Sequence, residues 1–362
     1  MYNRRKTKVI KAGGVAIGGD APITIQSMTT TKTADTAATL MQVNSLISAG
    51  CEIVRLAVND DAALMGFAEV KKKINAIPLV ADIHFNHELA IKAINAGADK
   101  IRINPGNIGS KENIAAVVAA AKKHRVPIRV GVNSGSLERD LLDAYGGTTA
   151  EGLAKSAMRN IKLLEDLDFD DIVVSLKASN IPMTLQAHEI LAPQMNYPLH
   201  IGITEAGTMY SGTIKSVAGI AAMLTRGFGD TIRVSLAADP AAEVAAAKEL
   251  LKALRLRRFG PDIIACPTCG RTQINIIALA NEVESKIGHI TAPITIAIMG
   301  CAVNGPGEAR ECDIGIAAGS GGGVLFRKGH VVQKLAEREI VPVLLHEIER
   351  LENEYRQDTN DR

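Results

Sequence analysis

Three thiols and a carboxylate sit on two short, glycine-bearing stretches, Cys266-Pro-Thr-Cys269 and Met299-Gly-Cys301-Ala-Val-Asn304-Gly-Pro-Gly-Glu308. An iron–sulfur cubane needs one ligand per iron, and thiolates normally fill all four places. With Cys266, Cys269 and Cys301 as three ligands and Glu308 as the fourth, one iron carries a hard, weakly held oxygen donor that a substrate oxygen can displace. Such a centre does chemistry as well as carrying electrons. The rival reading is a structural zinc site in which Cys312 joins the three thiols as an all-thiolate tetrahedron. Against it, the second stretch lacks the second C-x-x-C of a zinc ribbon, and Cys312 precedes Asp313-Ile-Gly-Ile316, which reads as strand. Asn304-Gly-Pro-Gly-Glu308 reads as a loop that brings the backbone close and aims Glu308 inward. Cys51 is most simply a small buried apolar residue.

A second set of polar residues recurs near the ends of apolar segments. Residues two apart in a strand face the same way, and Asp82 with His84, Arg102 with Asn104, and Arg233 with Ser235 form such pairs. Arg55, Arg129, Asn133, Lys177 and Glu205 stand at comparable positions. One arginine at a strand end is usually solvated or ion-paired. Five cations (Arg55, Arg102, Arg129, Lys177 and Arg233) on five different strands are harder to explain that way. Arginine forks match phosphate oxygens and lysine adds a point charge, so the expected ligand is a small phosphorylated molecule, a diphosphate. Asp82 and His84 are placed either to orient hydroxyls or to serve as hydrogen-bonded core groups. Glu205 is either an ion-pair partner of an arginine or a proton donor, its pKa raised in a closed, partly dry site.

The elements that must hold these residues alternate regularly. Eight apolar segments, Pro22–Ser27, Ile53–Val58, Pro78–His84, Lys100–Asn104, Pro127–Asn133, Asp171–Lys177, Pro198–Glu205 and Thr231–Leu236, are each followed by a longer helical pattern. Strand–helix alternation argues for parallel strands, and eight such units suit a closed (β/α)8 barrel, a TIM-type α/β fold. The competing doubly wound sheet lacks a Gly-x-Gly-x-x-Gly after its first strand. Active sites of such barrels lie at the C-terminal ends of the strands, where the cations cluster. The barrel is expected over residues 1–258. A small α/β domain over 259–362 carries the thiols, with a helix near Thr272 to Lys286, a strand at Pro293–Ile298, short strands around Ile314 and Val324, and a last helix from about Val341. A helix from Pro240 to Arg258 would run ~27 Å back toward the bottom of the barrel. The thiol domain thus leaves away from the basic mouth, so either the chain doubles back or the thiols serve another subunit, in a head-to-tail homodimer with composite sites.

Composition excludes several classes. The apolar fraction is 47%, charged residues make up 22%, and the net charge is only +2, so general nucleic-acid binding is not expected. Met1–Lys8 is basic but leads into Lys11-Ala-Gly-Gly14 rather than an apolar run, and no stretch reaches the ~18 apolar residues of a membrane span. Five cysteines make no disulfide scaffold, and a C-x-x-C in this setting points to metal or redox work in a cytoplasmic protein.

The pairing of Cys266-Pro-Thr-Cys-Gly-Arg271 with Gly300-Cys-Ala-Val-Asn-Gly-Pro-Gly-Glu-Ala309 resembles the 4-hydroxy-3-methylbut-2-en-1-yl diphosphate synthase family of the methylerythritol phosphate route to isoprenoids. Gln26–Thr29, Ala81–His84, Arg102–Gly106 and Arg129–Asn133 extend the resemblance along the whole chain, in the short two-domain bacterial form. The resemblance implies reductive ring opening and dehydration of 2-C-methyl-D-erythritol 2,4-cyclodiphosphate to the linear allylic diphosphate. It implies a [4Fe-4S] cluster on Cys266, Cys269, Cys301 and Glu308, with electrons from reduced flavodoxin or ferredoxin. By the same resemblance Arg55, Arg102, Arg129, Lys177 and Ser235 hold the diphosphate, Asn133, Thr204 and Asn304 lie nearby, and Glu205 supplies a proton to the departing hydroxyl. Composite dimer sites are also how that family is built. Two other classes compete: a phosphosugar aldolase or isomerase barrel with a structural zinc domain, and an electron carrier, which has no use for the cationic mouth.

Overall fold

The computed structural model describes residues 3–301, 307 and 310–360. The chain divides into two compact units, Met1–Arg257 and Arg258–Arg362.

The first unit opens with an antiparallel hairpin, β1 (Ile10–Ala12) and β2 (Val15–Ile17). Eight strands follow: β3 (Thr24–Met28), β4 (Ile53–Ala57), β5 (Leu79–Asp82), β6 (Lys100–Ile103), β7 (Ile128–Asn133), β8 (Ile172–Lys177), β9 (His200–Ile201) and β10 (Thr231–Ile232). All pair in parallel, in the order β8-β7-β6-β5-β4-β3-β10-β9. A parallel bridge from Val174 to Leu199 brings β8 to the start of β9, so the eight strands form a nearly closed barrel. The apolar core lies between strands and helices, where outward-facing Val54, Leu56, Ile101, Val130, Val174 and Leu176 are fully or almost fully buried. Each such side chain contributes roughly 1.5–3 kcal/mol. The helices start where a short polar side chain satisfies free N–H groups: Asp35, Asp60, Asn86, Ser110, Thr149, Asn180 and Asp239 all accept at an N-cap.

Two features depart from the sequence expectation. The hairpin was not anticipated; Ala12 and Ile17 pack against Ile53 and Val80 near the strand starts, so it plugs the lower end of the barrel. The seventh and eighth segments, expected over Pro198–Glu205 and Thr231–Leu236, make only two-residue strands. The ladder stops after the Arg233 N–H donates to the Ile201 carbonyl at 3.0 Å. There the backbones close in, and a Cβ on Gly202 would lie 2.4 Å from the Arg233 carbonyl oxygen. Thr204, Glu205 and Ser235 consequently ride on loops.

The second unit holds a five-stranded sheet. β11 (Asp262–Ala265), β12 (Thr295–Met299) and β13 (Ile314–Gly319) pair in parallel, and β13, β14 (Gly322–Arg327) and β15 (His330–Ala336) are antiparallel. Helices Ile276–Lys286 and Ile340–Asn360 bury Val283, Leu344 and Ile348 against Ile296, Ile298, Ile314 and Ile316.

Candidate active site

At the C-terminal ends of the barrel strands lies a cavity of about 270 Å³. Arg55, Asp82, His84, Arg102, Arg129 and Asn133 line it, as do Lys177, Thr204, Arg233 and Ser235. Inward positions of barrel strands usually carry aliphatic residues; here β4, β5, β6, β7 and β8 each turn a charged group inward. Among the described residues Asp82 is the sole carboxylate in the lining, opposite four arginines and Lys177. Arg102 Nη1 donates to Asp82 Oδ1 at 3.2 Å, and Arg55 Nε stands 3.7 Å from Oδ2. Burial alone would raise the Asp82 pKa, but Arg55, His84 and Arg102 hold it far below the usual carboxylate range. Burial brings Arg55 down to about 10, against the pull of Asp82, and depresses Arg129 and Lys177 strongly, with their cationic neighbours adding to the effect. Lys177 Nζ contacts His200 Nε2 at 3.2 Å.

An Asp82→Asn variant should therefore lose about 3–5 kcal/mol of stability, because two buried guanidinium groups lose their counter-charge. The Asp82 pKa is depressed in the folded state, so its stabilisation is complete above the unfolded value of ~3.9 and vanishes only as pH falls through the folded value. Thermal unfolding at neutral pH measures this, and an unchanged midpoint would contradict the charge balance described.

The structure adds residues that the sequence reading passed over. Met28 Sδ accepts from Arg55 Nε at 3.0 Å and Nη2 at 2.9 Å, and Arg233 Nη1 lies 3.5 Å away. A thioether is a weak acceptor, so these donors are held in place without being committed to a strong partner. Gly131 also lines the cavity, and a Cβ there would sit 2.5 Å from Arg102 Nε, which explains the glycine. Asn133, with its amide oxygen toward the site, accepts from Arg102 Nη2 at 3.3 Å. Buried Glu243, on the helix Pro240–Ala253, accepts from Arg233 Nε at 3.3 Å, Ser27 Oγ at 2.9 Å and the Leu236 N–H at 2.9 Å. It thus fixes both Arg233 and the loop bearing Ser235. Its place in an alanine-rich helix hid that role.

Glu205 stands apart. It is exposed in its own barrel and does not line the cavity, so the closed, dry surroundings expected for it are not supplied by this unit. Its backbone adopts φ +51°, a left-handed conformation that is uncommon for a residue with a side chain.

In the second unit Cys266 directly follows β11, and Gly300-Cys301 directly follows the neighbouring β12. The Cys266 N–H donates to the Ile298 carbonyl at 3.1 Å, and the Gly300 N–H donates to Cys266 Sγ at 3.1 Å. A Cβ on Gly300 would lie 2.7 Å from Ile276 Cγ1 and 2.9 Å from Thr272 Cγ2, so glycine alone lets the two stretches meet. The Cys269 thiol is exposed, and its pKa is lowered first by the Arg271 backbone N–H, with the Arg271 charge and Thr272 assisting. Asn304 and Glu308 lie outside the described residues. Among the described residues no three of His, Cys, Asp and Glu converge as a metal-binding group. The donor chemistry nonetheless fits a sulfur-ligated cluster: Cys266 Sγ already accepts an amide N–H, the Cys269 thiol is biased toward thiolate, and Cys266 and Cys301 follow adjacent strands.

The register speaks against the zinc alternative. Ile263, Ile296 and Ile314 are level across β11, β12 and β13. Cys266 follows the end of β11, past that level, whereas buried Cys312 precedes the start of β13. Cys312 belongs to the packing around Met299 and Phe326.

Comparison with known proteins agrees over both units. Residues 7–248 match the GcpE TIM-barrel domain family, and residues 262–350 match the GcpE protein C-terminal domain family. A protein of Anoxybacillus flavithermus named 4-hydroxy-3-methylbut-2-en-1-yl diphosphate synthase (flavodoxin) is 56% identical over 355 residues, covering 98% of this chain and 97% of its own. A Bacillus subtilis protein of the same name is 54% identical, covering 98% of this chain and 94% of its own. Among solved structures, a type I 3-dehydroquinate dehydratase from Clostridium difficile superposes with a TM-score of 0.51 at 15% identity, covering 68% of this chain and 98% of that one. That likeness shows the barrel fold alone.

Proposed function

Because the chain belongs to the 4-hydroxy-3-methylbut-2-en-1-yl diphosphate synthase family, we propose that it reductively opens 2-C-methyl-D-erythritol 2,4-cyclodiphosphate at a [4Fe-4S] cluster and releases the linear allylic diphosphate. The observation that carries this reading is the cavity at the barrel mouth, with four arginines and a lysine around one carboxylate. Overall, a ring C–O bond and a C–OH bond on the adjacent carbon break and a C=C bond forms. Two electrons and two protons enter, and one water leaves.

Arg55, Arg102, Arg129 and Lys177 neutralise the diphosphate, and Ser235 donates to it. Asn133 and Thr204 flank it, as does Asn304, and Arg233 closes the ring of charge from β10. Arg55 and Arg233 exchange the Met28 sulfur for phosphate oxygens. Asp82 and His84 orient the hydroxyls, and Glu205 gives a proton to the departing one. Cys266, Cys269, Cys301 and Glu308 hold the cluster, which when bound supplies electrons singly and a Lewis-acidic iron with an exchangeable oxygen ligand. The external electrons come from reduced flavodoxin, as the names of the relatives suggest, or ferredoxin. Since Glu205 is exposed within its own barrel, we further propose that the thiol unit of a partner subunit covers that mouth in a head-to-tail homodimer. Among the described residues no helix is long and apolar enough to cross a membrane, which is in keeping with a cytoplasmic enzyme.

The test is anaerobic reduction of the cyclic diphosphate by reconstituted protein with dithionite-reduced viologen, followed by phosphorus NMR. Brown protein holding about four irons per chain should convert the ring compound to the linear diphosphate. Fully loaded protein that leaves the ring intact would overturn the proposal.

A further inference from the structure

Beneath the cavity floor the barrel interior stays polar. Lys100 lies two residues before Arg102 on β6 and shares its inward face, roughly 7 Å lower at the strand rise. It is 0% exposed, and its ammonium nitrogen has one partner, Gln26 Oε1, at 3.4 Å. No carboxylate pairs with it among the described residues. From the packed strands it faces Gln26 on β3, Arg55 on β4, Arg129 on β7 and His200 on β9. Asp82 already serves Arg55 and Arg102, and the nearby Glu243 serves Arg233. Among the described residues six basic side chains of the interior thus share two carboxylates.

We propose that Lys100 is a charge-supplying residue for the bound anion, neutral in the empty barrel and taking up a proton from solvent when a diphosphate fills the cavity. An ammonium sealed among arginines without a counter-ion is unfavourable, and an amine escapes by releasing its proton, which a guanidinium cannot do. Burial, then Arg129 and Arg55, push Lys100 down to about 7, and burial with the surrounding arginines pushes Lys177 well down too. Lys177 Nζ against His200 Nε2 is a contact that neutral partners can make. An incoming anion reverses the sign of the local field and favours the charged form of both lysines. Lys177 meets the anion directly. Lys100 acts from one layer below, which makes the floor positive only when the cavity is filled. The inference rests on the cavity being a diphosphate site.

The experiment is calorimetric titration of the intact chain with methyl diphosphate at pH 8, in two buffers of different ionisation enthalpy. The probe loses its last proton near pH ~6, so protons taken up come to the protein. Native protein should take up about one proton more per ligand than Lys100→Met, and from pH 7.5 to 8.5 its affinity should fall about tenfold more than that of the variant, since each proton contributes tenfold per pH unit. Lys100→Arg, permanently charged, should show the same reduced uptake, which separates titration from mere loss of packing. Equal uptake in native and variants, or native affinity that does not change with pH, would overturn the role of Lys100 while leaving the diphosphate site standing. Absence of saturable binding would remove the diphosphate reading and this inference with it.

Discussion

Arg129→Met should make the empty protein more stable and nearly inactive. Arg129 is 2% exposed, and its Nε finds no hydrogen-bond partner. Its neighbours Arg55, Arg102 and Arg233 repel it, and Asp82 attracts it only as a group already shared by two other arginines. Replacing a poorly compensated buried charge by an apolar side chain of similar length is often stabilising, by about 1–4 kcal/mol. At ~2–4 °C per kcal/mol for a unit of this size, the melting temperature should rise by several degrees. The same change removes a preorganised donor from the proposed diphosphate site, and kcat/KM should fall on the order of 10²–10³-fold. Opposite signs in the two measurements identify a residue kept for its ligand and not for the fold. A variant that melts earlier and turns over normally would assign Arg129 to structure.

The contrast between Arg129 and Met28 shows why only part of the site was legible in the sequence. A cation in an otherwise aliphatic strand conflicts with the expected barrel interior, so Arg55, Arg102, Arg129 and Lys177 stood out from pattern alone. Methionine and glycine create no such conflict, so nothing in the pattern marks Met28 and Gly131 as parts of the site. The structure shows them seating Arg55 and making room for Arg102. Lys100 lay within reach of the same rule, since it stands two residues before Arg102 on the same face of its strand. The barrel was legible because its strands and helices differ in period and alternate eight times. The hairpin Ile10–Ile17 was not, because two three-residue strands carry almost no period. The short seventh and eighth strands were overdrawn for the opposite reason: Ile201 with Ile203 and Val234 with Leu236 continue the alternation after the hydrogen-bond ladder has ended.

Mixing two inactive variants should restore activity if the barrel of one subunit is served by the thiol unit of its partner. Cys266→Ser removes a sulfur that receives the Gly300 N–H between adjacent strand ends, and loss of one of three thiolates should abolish turnover and bleach the visible absorption of the reconstituted protein. Arg129→Met leaves the thiols untouched and disables the diphosphate site. In a head-to-tail heterodimer of the two, one composite site pairs the intact barrel with the intact thiol unit, and the other pairs both defects. Random reassortment places half of the subunits in heterodimers, so activity should recover to about a quarter of native. The recovery should also depend on protein concentration, since it requires subunit exchange. The sequence feature behind this expectation is the segment from Pro240 to Arg258, expected to run ~27 Å as a helix back from the mouth; the helix itself spans Pro240–Ala253. If each subunit instead used its own thiols, neither member of the heterodimer would hold a complete site, and the mixture would remain as inactive as its components at every concentration.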